Sequence, residues 1–343
     1  MRRFAFMLAC FVFGWLVAIA FCHGQTVKDF GAVGDGSVDD TAAFQAAIAA
    51  GKLVRVPAGT YRVSQIQLAA GTNLVGEDRA ATVILDSGAG GTLVDGSRVC
   101  VLILDTVGSR IANLTIRGRG YSATANDIGL CLHAAQEAQV ENVRVEQFTG
   151  RGVWLQHRLT SYCEFRGLSV HRIYRTSKKL YGIGIWVYGS GSGGVGWKQP
   201  HHVTFFDTTV SECNDAGVAI DAGTSTGAGF APYAISFFGL SVRDCAIKPD
   251  GGAAAVGFTG ATHCLIDGLT IGYEKEKPTG PQVFFGKDNS GVQTSYCTVT
   301  DALIQRGWTT PVTSDKTDGS NQVSNVTIQD SKGVTARVGC QTY

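Results

Sequence analysis

The sequence predicts an all-β protein, a right-handed parallel β-helix with a short helix capping its N-terminal end. Three observations carry that reading. A four-residue strand motif recurs along most of the chain, a second, glycine-led motif follows its middle copies, and a strand–turn–helix segment precedes both.

The first motif reads Asn113-Leu-Thr-Ile, Asn142-Val-Arg-Val, Gly167-Leu-Ser-Val, Asp207-Thr-Thr-Val, Gly239-Leu-Ser-Val, Gly268-Leu-Thr-Ile, Asp301-Ala-Leu-Ile and Asn325-Val-Thr-Ile. Successive copies start 29, 25, 40, 32, 29, 33 and 24 residues apart. Each copy is apolar on alternate residues, as a strand with one buried face must be. The second motif reads Gly129-Leu-Cys-Leu, Gly152-Val-Trp-Leu, Gly184-Ile-Trp-Val and Gly217-Val-Ala-Ile, with looser versions at Ala254, Val283 and Pro311. Two or three short strands per 24–40 residues describe one coil. No such coil can bury its apolar face alone, so stacking at about 4.8 Å per coil makes the core. An antiparallel sandwich would need regular Asn-Gly hairpin turns between strands, and the sequence has no series of them.

The repeat also places the cysteines. Cys163, Cys264 and Cys297 stand four residues before their motif, and Cys213 and Cys245 six residues after theirs. These are ladder positions for small apolar groups, read as buried thiols. Neighbouring coils also bring Cys213–Cys245 and Cys264–Cys297 within disulfide reach. There is no CxxC pair and hence no support for zinc.

Residues 1–24 read as a signal peptide. Arg2 and Arg3 precede an apolar run from Phe4 to Phe21 that ends at Cys22-His23-Gly24. A retained anchor is the alternative, for which the run is short, since a spanning helix needs about 20 apolar residues. Residues 25–343 then form one β-helix domain, exported from the cytoplasm. The whole sequence has 29 lysines and arginines against 28 aspartates and glutamates, and without Arg2 and Arg3 the balance is one negative charge. Net charge therefore points neither to nucleic acid nor, once the signal is removed, to a membrane surface.

The N-terminal segment runs Val27-Lys-Asp-Phe-Gly-Ala-Val-Gly-Asp-Gly, then Asp39-Asp-Thr-Ala-Ala-Phe-Gln-Ala-Ala-Ile, then Val54-Arg-Val-Pro-Ala-Gly-Thr-Tyr-Arg-Val. Asp39 or Asp40 caps a helix whose stripe is Phe44, Ala47 and Ile48. Such a helix plugs the open end of the stack. Asp35, Asp39 and Asp40 are read as turn and cap residues rather than a catalytic cluster. Residues 27–63 closely resemble the N-terminal segment of the pectate-lyase-like β-helix superfamily, which includes polygalacturonases, rhamnogalacturonases, polysaccharide lyases, epimerases and phage depolymerases. The resemblance implies the fold and a polysaccharide partner. It carries no active site over, because that segment marks architecture rather than chemistry. The polygalacturonase strings (Asn-Thr-Asp, Asp-Asp, Gly-His-Gly, Arg-Ile-Lys) do not occur after residue 40, and neither does the Arg-x-Pro-x-x-Arg of pectate lyases.

Strand geometry locates a candidate site instead. In the glycine-led strands Leu130/Leu132, Val153/Leu155, Ile185/Val187 and Val218/Ile220 point inward. If the coils stack in register, Cys131, Trp154, Trp186 and Ala219 form one outward row, and His133, Gln156, Tyr188 and Asp221 the next. Trp154 and Trp186 are expected to be solvent-facing and, with Gln156, to form a sugar-binding platform. Surface decoration on an aromatic-tolerant strand is the alternative. The 40-residue coil adds a basic stretch, Arg172-Ile-Tyr-Arg-Thr-Ser-Lys-Lys, and a glycine-rich stretch ending at Lys198. Arg172, Arg175, Lys178, Lys179 and Lys198 are expected to bind an anionic sugar such as a uronate.

Lyase chemistry needs a neutralised carboxylate, a base and an acid. His133 and Tyr188 could supply the last two. Hydrolysis needs two carboxyl groups; only Asp221 lies in the outward rows, with Asp215 on the turn before it. A lyase for an acidic polysaccharide is thus the reading, with a polygalacturonase-like hydrolase or a non-catalytic carbohydrate-binding scaffold as alternatives. No cofactor is expected: calcium would need several acidic oxygens together, and the sequence has no such cluster.

Overall fold

The computed structural model describes residues 25–91, 96–122, 126–157, 159–175, 182–189, 199–223, 231–246, 254–274, 281–287, 291, 293–305, 312–314, 320–329, 335–339 and 341–342. The segment read as a signal peptide, and Cys340, lie outside them. The strands stack into a right-handed parallel β-helix.

One parallel sheet has nine short strands, one per coil, running from Ile66–Leu68 through Asp127–His133, Gly150–Gln156, Ile183–Tyr188 and Val218–Asp221 to Val312–Ser314. At the usual strand spacing the stack is about 40 Å long. The remaining strands form a second, larger sheet that wraps the rest of each coil. Its strands are bent, and the first motif marks the bend. The leading residue of every copy has positive φ: Asn113 55°, Asn142 50°, Gly167 63°, Asp207 49°, Gly239 72°, Gly268 74°, Asp301 50° and Asn325 52°. Left-handed backbone costs glycine nothing and asparagine and aspartate least, which is why only those three types stand there. The position is therefore a corner rather than the start of a strand. At one of these corners Asn142 Nδ2 donates to Asn113 Oδ1 at 3.0 Å.

The glycines of the second motif answer to packing. A Cβ at Gly129, Gly152, Gly184 or Gly217 would stand 2.3, 2.5, 2.4 or 2.6 Å from a methyl of Val145, Val170, Val210 or Val242. A valine ladder on the opposite wall fills the space a side chain would need. Further round the core, Phe165, Phe205 and Phe237 stack at 4.4 and 4.2 Å between ring centres. The seven described cysteines are buried free thiols. Their thiols donate to backbone carbonyls, Cys213 to Ser211, Cys245 to Arg243, Cys264 to Thr262 and Cys297 to Ser295, and burial pushes the Cys213 and Cys297 thiols far up.

The helix Thr41–Ala50 closes the N-terminal end, burying Ala43, Phe44, Ala47 and Ile48. Asp40 occupies the cap position, but its carboxylate turns away to accept from the amides of Val33 (2.6 Å) and Gly34 (3.1 Å). Asp39 accepts from the Thr41 amide at 2.9 Å, and Asp35 from the Ser37 amide at 2.8 Å. All three carboxylates hold turns. At the other end, Gln322–Gln329 pairs antiparallel with Thr335–Val338 and Gln341–Thr342, which covers an edge that would otherwise invite another chain.

Candidate functional site

Strand pairing sets Cys131, Trp154, Trp186 and Ala219 in one row and His133, Gln156, Tyr188 and Asp221 in the next. The inward residues between them belong to the main core. The two indoles stack at 5.9 Å with an 18° interplanar angle. They are not solvent-facing, however: Trp154 is 3% and Trp186 6% exposed. The sugar platform expected from the sequence is therefore corrected. Both indoles sit in a second apolar cluster with Val99, Leu102, Ile128, Cys131, Ile183 and Ala216 on the outer face of the nine-stranded sheet. The Arg151 guanidinium lies over them, 4.3 Å from the Trp154 ring centre and 4.7 Å from that of Trp186. Arg151 Nη1 also donates to the buried Ser97 Oγ at 2.8 Å. Gln156 is buried as well. These side chains form a covered wall, not an open surface.

The same face opens at the next coils, where Tyr188, Ala219, Asp221, Thr259 and Phe284 are half-buried. Tyr188 packs 4.6 Å from Trp186 on one side. On the other is Gly223, where a Cβ would meet the phenol ring at 2.8 Å. Asp221 Oδ1 accepts from the Gly223 amide at 2.8 Å, so the carboxylate and the phenol share one turn. His133 stacks on His157 at 4.5 Å. Burial, and then the neighbouring His157, hold its pKa below the usual histidine value, against a smaller pull from Asp105. It is a neutral imidazole at neutral pH, and its Nδ1 is buried without a hydrogen-bond partner.

The basic stretch does not stand without acids. Arg172 Nε lies 3.3 Å from Glu212, and Arg175 Nη1 lies 3.0 Å from Asp215, with both members of the second pair largely buried. The acids missing from the stretch itself arrive from the next coil, because a 40-residue coil sets each residue against the one 40 further on. Asp215 Oδ2 also accepts from the Gly182 amide at 2.8 Å, so its carboxylate is held by Arg175 and this turn. Arg172 stands on the strand Ser169–Ile173 of the larger sheet, away from Tyr188. Lys178, Lys179 and Lys198 lie outside the described residues.

Two groups went unread in the sequence. Arg151 is the single charge in Gly150–Gln156, and that isolation was the available signal. Arg98 and Arg119 hold Asp127 (2.6 and 2.9 Å), and Arg119 also reaches Asp86 at 3.4 Å. Burial first, and Asp127 among the further causes, raise the Asp86 pKa. Among the described residues no group of three or more His, Cys, Asp or Glu is placed to hold a metal ion.

With this geometry in hand, the chain was compared with known proteins. Residues 25–236 match the family described as rhamnogalacturonase A/epimerase, pectate lyase-like. A mannuronan C5-epimerase of Azotobacter vinelandii is 38% identical over 106 residues, covering 26% of this chain and 18% of that protein. The pre-neck appendage protein of Bacillus phage B103 is 31% identical over 140 residues, covering 38% of this chain and 16% of that protein. The matched stretches thus span less than a fifth of either relative. Among solved structures, the Streptococcus pneumoniae surface adhesin PfbA superposes with a TM-score of 0.58 at 16% identity, over 91% of this chain and 87% of that one. The enzymatically active domain of a bacteriophage CBA120 tailspike gives 0.54 at 14% identity, over 89% and 46%. Both likenesses concern the fold alone.

Proposed function

The chain belongs to the rhamnogalacturonase A/epimerase, pectate lyase-like family, and from that premise we propose that it acts on a uronate-containing polysaccharide by removing the proton alpha to the carboxylate. The observation that carries the proposal is the in-register row His133, Gln156, Tyr188, Asp221 beside a buried guanidinium. His133, kept neutral by burial, is the base. Tyr188, half-buried where the covered wall opens, is the acid. They stand two strand spacings apart, roughly 10 Å, on either side of the buried Gln156, a separation that one sugar ring can bridge. The Arg151 charge, over the Trp186 ring against which Tyr188 packs, favours the anionic substrate and the charge that builds on it.

In the lyase reading the alpha C–H bond breaks and its proton passes to His133. The electron pair forms the new double bond, and the beta C–O bond breaks as Tyr188 protonates the leaving glycosidic oxygen. A second reading is favoured by the similarity to a mannuronan C5-epimerase: the first step is the same, but the carbanion is reprotonated from the opposite face and the chain stays whole. The apolar run of residues 4–21, read as an export signal, supports a site of action outside the cytoplasm.

The test is to incubate purified protein with uronate-containing and neutral polysaccharides in deuterium oxide. Ultraviolet-absorbing unsaturated ends mark the lyase, and deuterium at the alpha carbon without chain shortening marks the epimerase. New reducing ends without unsaturation would replace both with a hydrolase, and retention without any reaction would leave a binding scaffold.

A further inference from the structure

The nine-stranded sheet passes into the larger one through a turn that repeats in every coil, and that turn carries an exposed row of rings. Ser161, His201, Tyr233, Thr262 and Ser295 are bridged coil to coil. Beside them stand Tyr162, His202, His263 and Tyr296. Tyr162 is 60%, Tyr296 59% and Tyr233 36% exposed. Tyr162 stacks on His202 at 5.0 Å and His201 on Tyr233 at 5.0 Å, and the two pairs lie nearly perpendicular. One further stack joins His263 to Tyr296 at 4.9 Å.

The backbone there is left-handed in coil after coil: Glu137 has φ 54°, Tyr162 55°, His202 51°, Ala234 53°, His263 53° and Tyr296 52°. The chain has a second left-handed ladder, the corner of the larger sheet, and fills it with asparagine, aspartate and glycine. Tyrosine at such a φ is unfavourable, whereas histidine is tolerated there.

We propose that this ridge is a rail for an extended polysaccharide chain, running along the fold axis and continuing the candidate site. Four features select that occupant. The rings recur at the coil spacing of about 4.8 Å, close to the repeat of sugar rings in an extended polymer. Tyrosine and histidine pair an apolar ring with a polar edge that can bond hydroxyls, and rings outnumber the exposed aliphatic groups beside them, Val107 and Leu159. His201 is held neutral by burial and by His202. Finally, the ridge is joined to the site through one turn, since His157, stacked on His133, leads within five residues to Tyr162. The inference rests on the polysaccharide reading above and adds to it a preference for long chains.

The experiment is the triple variant Tyr162→Asn, His202→Asn, Tyr296→Asn, compared with the full-length parent by affinity electrophoresis in polysaccharide gels. Asparagine suits the left-handed backbone, so the variant is expected to melt at or above the parent's temperature. Retention by long polymer should fall roughly ten-fold or more, as three stacking rings are lost, while turnover of short oligosaccharides stays at the parent's level. Equal retention of folded parent and variant would overturn the rail and leave the proposed function standing. A parent that neither retains nor alters any polysaccharide would overturn both. A change in oligomeric state by light scattering, with retention unchanged, would reassign the ridge to contact between copies of this chain.

Discussion

The molecule has two aromatic clusters, and they behave in opposite ways. Trp154 and Trp186 lie on the outside of a strand wall, yet are buried beneath Arg151 within an apolar cluster. Tyr162, His202 and Tyr296 occupy a turn, in a backbone conformation that disfavours tyrosine, and are open to water. Side-chain alternation along a strand says which side of the sheet a residue faces; it does not say whether that side is covered. The outer rows Val99/Ile128 and Leu102/Cys131, as apolar as the interior, mark the covered stretch, with Arg151 the one charge between Ile128 and Ile183.

Tyr188 stands where the covered cluster gives way to the open face, and its replacement should have the largest effect. Tyr188→Phe removes only the hydroxyl, so turnover is expected to fall about 10²–10⁴-fold with polymer retention kept. Asp221→Asn should weaken turnover far less. The reverse ranking, measured by steady-state rates, would move the chemistry to the carboxylate.

The contrast itself is tested by truncation. Trp154→Ala and Trp186→Ala each leave a cavity and should cost about 3–5 kcal/mol in urea unfolding. Tyr162→Ala and Tyr296→Ala should stay within about 0.5 kcal/mol. Comparable losses at all four positions would mean that the two clusters are not distinct.

Arg151→Met sharpens the reason for the difference. It keeps an apolar stem over the indoles but removes the guanidinium donor to Ser97, which retains Asn126 Nδ2 at 2.8 Å, with an expected loss of about 0.5–1.5 kcal/mol. If the cover were only steric, the unfolding midpoint would not move.

The smallest effect concerns pH. The His133, His171 and His201 pKa values are all lowered, burial being the largest cause in each. A histidine with a depressed native pKa binds its proton less readily folded than unfolded. Stability is therefore full above the ordinary histidine value and declines as pH falls from about 6.5 towards the native values. Melting temperature should drop modestly between pH 7 and 5, and His133→Gln should shrink that drop. The acid limb of turnover should lie below the ordinary histidine pKa.

The repeat, the two outward rows and the ladder of buried cysteines were legible in the sequence, because each is a consequence of period. A residue's neighbours in a solenoid are the residues one coil away, and the coil lengths can be counted. The corner role of Asn142 or Asp207 was half-legible: the restriction to Asn, Asp and Gly was visible, while the left-handed backbone behind it was not. Three things were decided only by the tertiary structure. The partners of Arg172 and Arg175 lie 40 residues on, in Glu212 and Asp215, where a local count of charge finds no acid. Arg151 lies across a pair of indoles that sequence spacing had left bare. The ring ridge joins residues from five turns, far apart in sequence except for the pair His201-His202, and becomes a surface only when the coils bring their turns into line. Periodicity fixes what is stacked on what, because backbone pairing enforces register. What covers a face depends on how side chains such as Arg151 lie across it, which the alternation pattern does not encode.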